Sequence, residues 1–119
     1  MSISRGEVVL LPFPFASGGA AKRRPALVIQ SDHNNTRLAN VIVAQITSNT
    51  SRAGQERTQV LIDVATPEGS QSGLHFDSAV TCENLATVEQ SLVVRKLGTL
   101  PTTLMDRVND AFKASLGIP

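Results

Sequence analysis

The feature that most constrains this 119-residue chain is a succession of short aliphatic runs, each stopped by Gly, Pro, Ser, Asn or Thr. They read EVVLLPF (7–13), PALVIQS (25–31), NVIVAQI (40–46), TQVLIDV (58–64) and SAVTCENLATVE (78–89), and VVRKLGTL (93–100) supplies a last short strand. Aliphatic and β-branched runs bounded by turn residues are strand signals, and short spacings between them favour antiparallel pairing. No helix-length periodic segment separates the early strands, which argues against a helical bundle and against a βαβ sheet. The expected fold is mainly β, a small antiparallel barrel in one domain over residues 1–119, because a chain of this length buries one core.

Only the C-terminal end changes period. In LPTTLMDRVNDAFKASLGIP, Leu104, Val108, Ala111, Phe112 and Leu116 recur at steps of three and four, while Asp106, Arg107, Asp110 and Lys113 fall off that stripe. Thr102 or Thr103 is placed to cap the start, Pro101 suits the first turn or the residue before it, and Gly117 with Pro119 ends the helix. The helix is expected to lie on the barrel as core. Its acidic first half and the lack of a helix-turn-helix partner argue against DNA recognition.

Charge is unevenly distributed. The formal net charge is +1, but residues 1–57 carry 7 Lys and Arg against 3 Asp and Glu, whereas residues 58–119 carry 4 against 7. One basic face for an anionic partner is compatible with this asymmetry. Apolar residues make up 41% and charged residues 18% of the chain, the proportions of a globular protein. No run has the roughly 18 to 20 apolar residues of a membrane span, and the N-terminus lacks a basic segment followed by an apolar signal core, so no membrane association and a cytoplasmic location are expected. Cys82 is the single cysteine, and with only His33 and His75 beside it no zinc-ligand spacing exists; neither metal nor cofactor is expected.

Two polar segments sit where strands end. FPFASGGAAKRR, with Phe15, Ser17, Lys22 and Arg23, joins the first two runs through residues that tolerate unusual dihedrals and leave backbone N–H groups open, and it leads cations onto the second run. It is not a P-loop. QITSNTSR (45–52) follows the third run, and its Thr47, Ser48 and Asn49 suit either phosphate contact or ordinary Ser/Thr turns. TCENL (81–85) interrupts the fifth run with Glu83 and Asn84, which an exposed alternate position would also explain.

In order along the chain, RGEVVLLPFPF, KRRPALVIQSD, VIVAQITS and VVRKLGTLPTTLMDRVNDAFKASLGI resemble the MazF/PemK family of toxins from bacterial toxin–antitoxin pairs. The Arg5-Gly6-Glu7 opening, the Arg24-Pro25 step and the Ile46-Thr47-Ser48 strand end carry most of the resemblance. It implies an SH3-like β-barrel with a C-terminal helix, a homodimer, and a metal-independent, sequence-selective endoribonuclease that cuts single-stranded RNA at short sequences. It also implies a cognate MazE/PemI-like antitoxin whose acidic tail lies in the RNA groove. By position, Arg24 and Thr47 match the family's catalytic arginine and threonine, and Glu83 and Asn84 match an acidic-amide pair of the same groove. Relatives carry arginines at positions where this chain has Thr81 and Ala86.

Metal-free cleavage needs the 2′-hydroxyl to attack phosphorus, with its proton removed, charge on the phosphorane oxygens stabilised and the leaving oxygen protonated. Arg24 suits the second task, since a guanidinium is planar, permanently charged and able to hold two phosphate oxygens. Thr47 is placed to hold another. For the base, Glu83 is the carboxylate that the resemblance puts in the groove, and His75 belongs to the residue type suited to proton transfer near neutral pH. Base stacking requires an aromatic ring, and of four Phe only Phe15 and Phe76 are free of a strand or the helix stripe. Lys22, Arg23, Ser17, Ser48, Asn84, Phe15 and His75 are the expected RNA contacts. Two other readings stay open: a barrel that binds RNA or protein without cutting, and a gyrase-directed toxin resembling CcdB.

Overall fold

The computed structural model describes residues 2–14 and 22–119, so Phe15, Ser17 and the rest of the Gly-rich stretch lie outside the described residues. Six strands, β1 (Glu7–Phe13), β2 (Lys22–Val28), β3 (Asn40–Thr47), β4 (Gln59–Ile62), β5 (Ser78–Glu89) and β6 (Arg95–Thr99), are accompanied by helices α1 (Asp32–Arg37), α2 (Pro67–Ser70) and α3 (Thr102–Leu116). All strand pairs are antiparallel, in the order β4-β5-β3-β2-β1-β6, and the sheet curls into a half-barrel with α3 packed on it. No helix among the described residues is long and apolar enough to cross a membrane.

Both faces of the sheet are covered, which is why its central strands read as continuous aliphatic runs. Val8, Leu27, Ala44, Ile46 and Val80 point to the face closed by Leu104, Met105, Val108 and Ala111 of α3. On the other face, Val9, Leu11, Ala26, Val28, Val41 and Val43 cluster with Ile3 and Val93. The helical stripe is observed with two adjustments. Met105 joins the buried side, and Leu116, at 57% exposure, leaves it. Neither Thr102 nor Thr103 caps α3; Pro101 holds the cap position, and its carbonyl accepts from the N–H groups of Leu104 and Met105, both at 3.0 Å. Gly117, with φ of 68°, ends the helix in the left-handed conformation that glycine adopts without steric penalty.

The second strand begins three residues earlier than the aliphatic run. Lys22, Arg23 and Arg24 are already paired with Phe13, Pro12 and Leu11 of β1, so the first two are strand residues and not the loop charges the sequence indicates. After Val28 the chain turns into α1, and Arg5 ties the opening segment to it. The Arg5 N–H donates to Asp32 Oδ1 (2.7 Å), its Nε to the Ile29 carbonyl (3.0 Å) and its Nη2 to Asn109 Oδ1 on α3 (2.6 Å). The contact from Arg5, followed by one from Asn35, holds the Asp32 carboxyl below its ordinary range.

Two departures from regular geometry shape the clefts of the molecule. On β3, Ala44 pairs with Leu85 but the next residue, Gln45, pairs with Thr81, so Cys82, Glu83 and Asn84 form a bulge on β5 with no counterpart on β3. The Cys82 N–H turns instead to the Thr58 carbonyl (2.8 Å). The second departure is a backbone contact between the β4–β5 connection and β6. The Thr99 N–H donates to the Gln71 carbonyl (2.9 Å), and Gly73 and Gly98 face the opposing main chain so closely that a Cβ on either would overlap backbone atoms.

Candidate active site

The end of β3 divides two clefts. Successive strand residues point to opposite sides, so Thr47 opens into one and Ser48 into the other. The Thr47 cleft, of about 330 Å³, is bordered by Gln45, Asn49, Ser51, Arg52, Gln59, Thr81, Glu83 and Asn84. The Ser48 cleft, of about 300 Å³, has an aliphatic floor from Leu10, Pro25, Ile46, Leu74 and Leu97, and polar borders from Arg24, His75, Ser78 and Arg95, with Phe76 beside them.

The register of β2 on β3 relates Arg24 to Thr47. The β2–β3 pairs run Val28 with Val43, Leu27 with Ala44 and Ala26 with Gln45. The pairing ends there; continued by two residues, the same register brings Arg24 level with Thr47 and on the same face. Its other neighbour, Leu11 on β1, points to the same face. Arg24 also borders the Ser48 cleft. Pro25 fixes the φ of the next residue and restricts Arg24 to extended geometry.

Hydrogen bonds order the Thr47 cleft. Thr47 Oγ1 accepts from the Asn49 N–H (3.1 Å), a turn that keeps the hydroxyl oxygen in place while its hydrogen remains available. Asn49 Oδ1 in turn accepts from the Ser51 N–H (3.2 Å) and Oγ (2.8 Å). At the bulge, Glu83 Oε2 accepts from Gln59 Nε2 (2.9 Å), and Asn84 Nδ2 donates to Gln45 Oε1 (3.0 Å). The bulge exposes Glu83 and Asn84 side by side, which simple alternation along a strand would forbid.

The structure therefore brings Thr47, Glu83 and Asn84 into one cleft and Arg24, Ser48 and His75 into its neighbour. Lys22 and Arg23 are exposed further along β2 and border neither. Sequence reasoning did not single out Gln45, Gln59, Arg52 or Arg95. The last residue of QITSNTSR was a visible signal for Arg52, which adds a cation to the Thr47 cleft. The glutamines had none, because their value depends on the bulge. Thr81 and Ala86 also have structural reasons: Thr81 is buried with its Oγ1 donating to the Gln45 carbonyl (2.9 Å), and Ala86 packs on the second core cluster, where an arginine would displace apolar neighbours.

Cys82 is fully buried, as its place in an aliphatic run indicates. Burial, aided by the neighbouring Glu83 charge, pushes its thiol up to about 12, so it carries no thiolate at neutral pH and is no nucleophile.

Residues 4–116 match the family model described as PemK-like, MazF-like toxin of type II toxin-antitoxin system. The chain is 37% identical over 120 residues to endoribonuclease MazF6 of Mycobacterium tuberculosis, spanning 99% of this chain and 100% of the relative. It is 30% identical to endoribonuclease EndoA of Bacillus subtilis, over 99% of this chain and 97% of the relative. Among solved structures, the Mycobacterium tuberculosis toxin MazF-mt6 superposes with a TM-score of 0.76 at 22% identity, covering 95% of this chain and 98% of the other. A mycobacterial endoribonuclease in complex with its cognate antitoxin does so with a TM-score of 0.77 at 20% identity, covering 98% and 97%. These structures share the fold.

Proposed function

This chain belongs to the PemK-like, MazF-like toxins of type II toxin–antitoxin systems, and from that premise we propose that Arg24, Thr47 and Glu83 form the centre of its endoribonuclease activity. The chain is a toxin-antitoxin endoribonuclease, the activity carried by the names of its full-length relatives. Those relatives favour it over a non-cutting barrel and over a gyrase-directed toxin.

The observation that supports the assignment is the β2–β3 register ending at Ala26 with Gln45, whose continuation by two residues brings Arg24 level with Thr47. A scissile phosphate over that point meets a guanidinium from one strand and a hydroxyl from the next. Both interactions strengthen as negative charge grows on the phosphorane oxygens, which is what a transition-state contact must do. Glu83, across the same cleft from Thr47, takes the 2′-hydroxyl proton as that oxygen attacks phosphorus; the P–O5′ bond breaks and the leaving oxygen takes a proton from solvent water, so one fragment keeps a cyclic phosphate and the other a 5′-hydroxyl. Asn84, Ser48, His75 and Arg52 border the path of the strand, and Lys22 and Arg23 at the start of β2, with Phe15 and Ser17 before them in the sequence, contribute binding. No metal or cofactor enters this scheme.

The partners follow from the same premise. The protein acts as a homodimer on single-stranded RNA, and its cognate antitoxin blocks it by laying an acidic segment into the cationic groove bordered by Arg24 and Arg52. Incubation with a long single-stranded RNA in excess EDTA tests the chemistry. Cyclic-phosphate or 3′-phosphate ends paired with 5′-hydroxyl ends are expected, and RNA left intact would contradict it.

A further inference from the structure

We propose that the Ser48 cleft is a nucleobase pocket that selects a keto-bearing base, uracil or guanine, next to the cleaved bond. This rests on the endoribonuclease reading. The cleft adjoins Thr47 through the backbone of consecutive residues, so a strand whose phosphate sits at Thr47 has a flanking nucleotide within reach of it. Its shape fits a base. An aliphatic floor that includes Leu10 and Ile46 lies under a volume of about 300 Å³, and Phe76 stands at its border with 73% of its surface exposed. An exposed phenylalanine beside an aliphatic floor is a stacking platform.

The polar groups give the selectivity. Arg95 pairs with Leu10 in the sheet and so points to the cleft side, and its guanidinium has no hydrogen-bond or ion-pair partner among the described residues; neither has the His75 ring. Among the described residues, no carboxylate or carboxamide side chain borders the cleft. A guanidinium can only donate, so it matches the carbonyl oxygens of uracil or the O6 and N7 of guanine. At the position of uracil O4 and guanine O6, cytosine and adenine carry an amino group, which would meet a donor and lose its water. The pocket is held open by the Gly73 and Gly98 backbone contact, which fixes the segment carrying His75 and Phe76 against β6.

The test uses fluorescently labelled, 2′-O-methylated oligouridine and oligocytidine about ten nucleotides long, which cannot be cleaved, with the full-length wild type, Arg95→Gln and Phe76→Ala. The wild type is expected to hold oligouridine about tenfold tighter than oligocytidine. Arg95→Gln should erase the preference to within about twofold, and Phe76→Ala should weaken both about tenfold, with unchanged melting temperatures. Equal binding of the two oligonucleotides by the wild type, or a preference that survives Arg95→Gln, overturns the proposal. So does an acidic peptide whose binding falls in Arg95→Gln while neither oligonucleotide responds, since the cleft is then a protein site. Cleavage of unmodified RNA is scored separately: a base preference without cleavage sinks the nuclease reading and keeps the pocket, and cleavage without a preference does the reverse.

Discussion

Gln59 on β4 donates its Nε2 to Glu83 Oε2 across the β5 bulge at 2.9 Å, while its own Oε1 is buried and meets no donor among the described residues. A buried acceptor left unpaired costs about 1–3 kcal/mol. The other end of the same amide orders the carboxylate.

That arrangement separates stability from activity. Gln59→Leu removes the orphan oxygen and the donor together, so the melting temperature should stay level or rise slightly, while the cleavage rate falls roughly three- to tenfold as Glu83 loses its fixed position. Gln59→Glu, which sets a like charge beside Glu83, should cut more slowly still. Single-turnover rates and thermal melts on the same samples check this; full-rate cleavage by Gln59→Leu would remove Glu83 positioning from the account.

The β4–β5 connection depends on two glycines. Gly73 sits at φ of 72° and faces the Leu97 carbonyl, and Gly98 faces the backbone of Gln71 and Ser72. Gly98→Ala and Gly73→Ala should each destabilise the protein by about 1–3 kcal/mol, since neither backbone can give way without breaking the Thr99 to Gln71 hydrogen bond. Urea titrations measure it, with Gly54→Ala as the comparison because nothing lies near a Cβ at that position.

Cys82 sets a stability limit at high pH. Its thiol is raised from 9.0 to about 12 by burial first and the Glu83 charge second. The unfolded chain therefore releases this proton before the folded chain does. Its contribution is complete below pH 9 and is lost as pH rises towards 12. Cys82→Ala should be less stable at pH 7 through the lost side chain yet show a shallower decline between pH 9 and 11. Denaturation at stepped pH gives both slopes; parallel slopes would show that another group titrates there.

How far the sequence carries the fold is uneven along the chain. EVVLLPF coincides with β1 and SAVTCENLATVE with β5, because aliphatic density marks strands covered on both faces. The start of β2 was hidden, since Lys22 to Arg24 look like a loop until pairing with Phe13 to Leu11 is known. Thr47 and Glu83 are legible as residues, but their sharing a cleft depends on the bulge at Cys82 to Asn84, and a two-residue alternation contains no sign of it. Arg95 was hidden for a similar reason: its neighbours in sequence are strand residues, and its neighbours in the cleft come from four other segments. Thr81 and Ala86 departed from a familiar pattern without a visible cause, and burial supplies it.

The central claim is that Arg24 and Thr47 act on one phosphate. Single-turnover cleavage of a single-stranded RNA by the wild type, Arg24→Ala, Thr47→Ala and the double variant tests it most directly. Each single change should cost about a hundredfold or more, and the double variant should lose far less than the product of the two, because both side chains stabilise the same charge. Cleavage that persists at the parent rate in Arg24→Ala, or two losses that simply multiply, would contradict a shared phosphate at the end of β3.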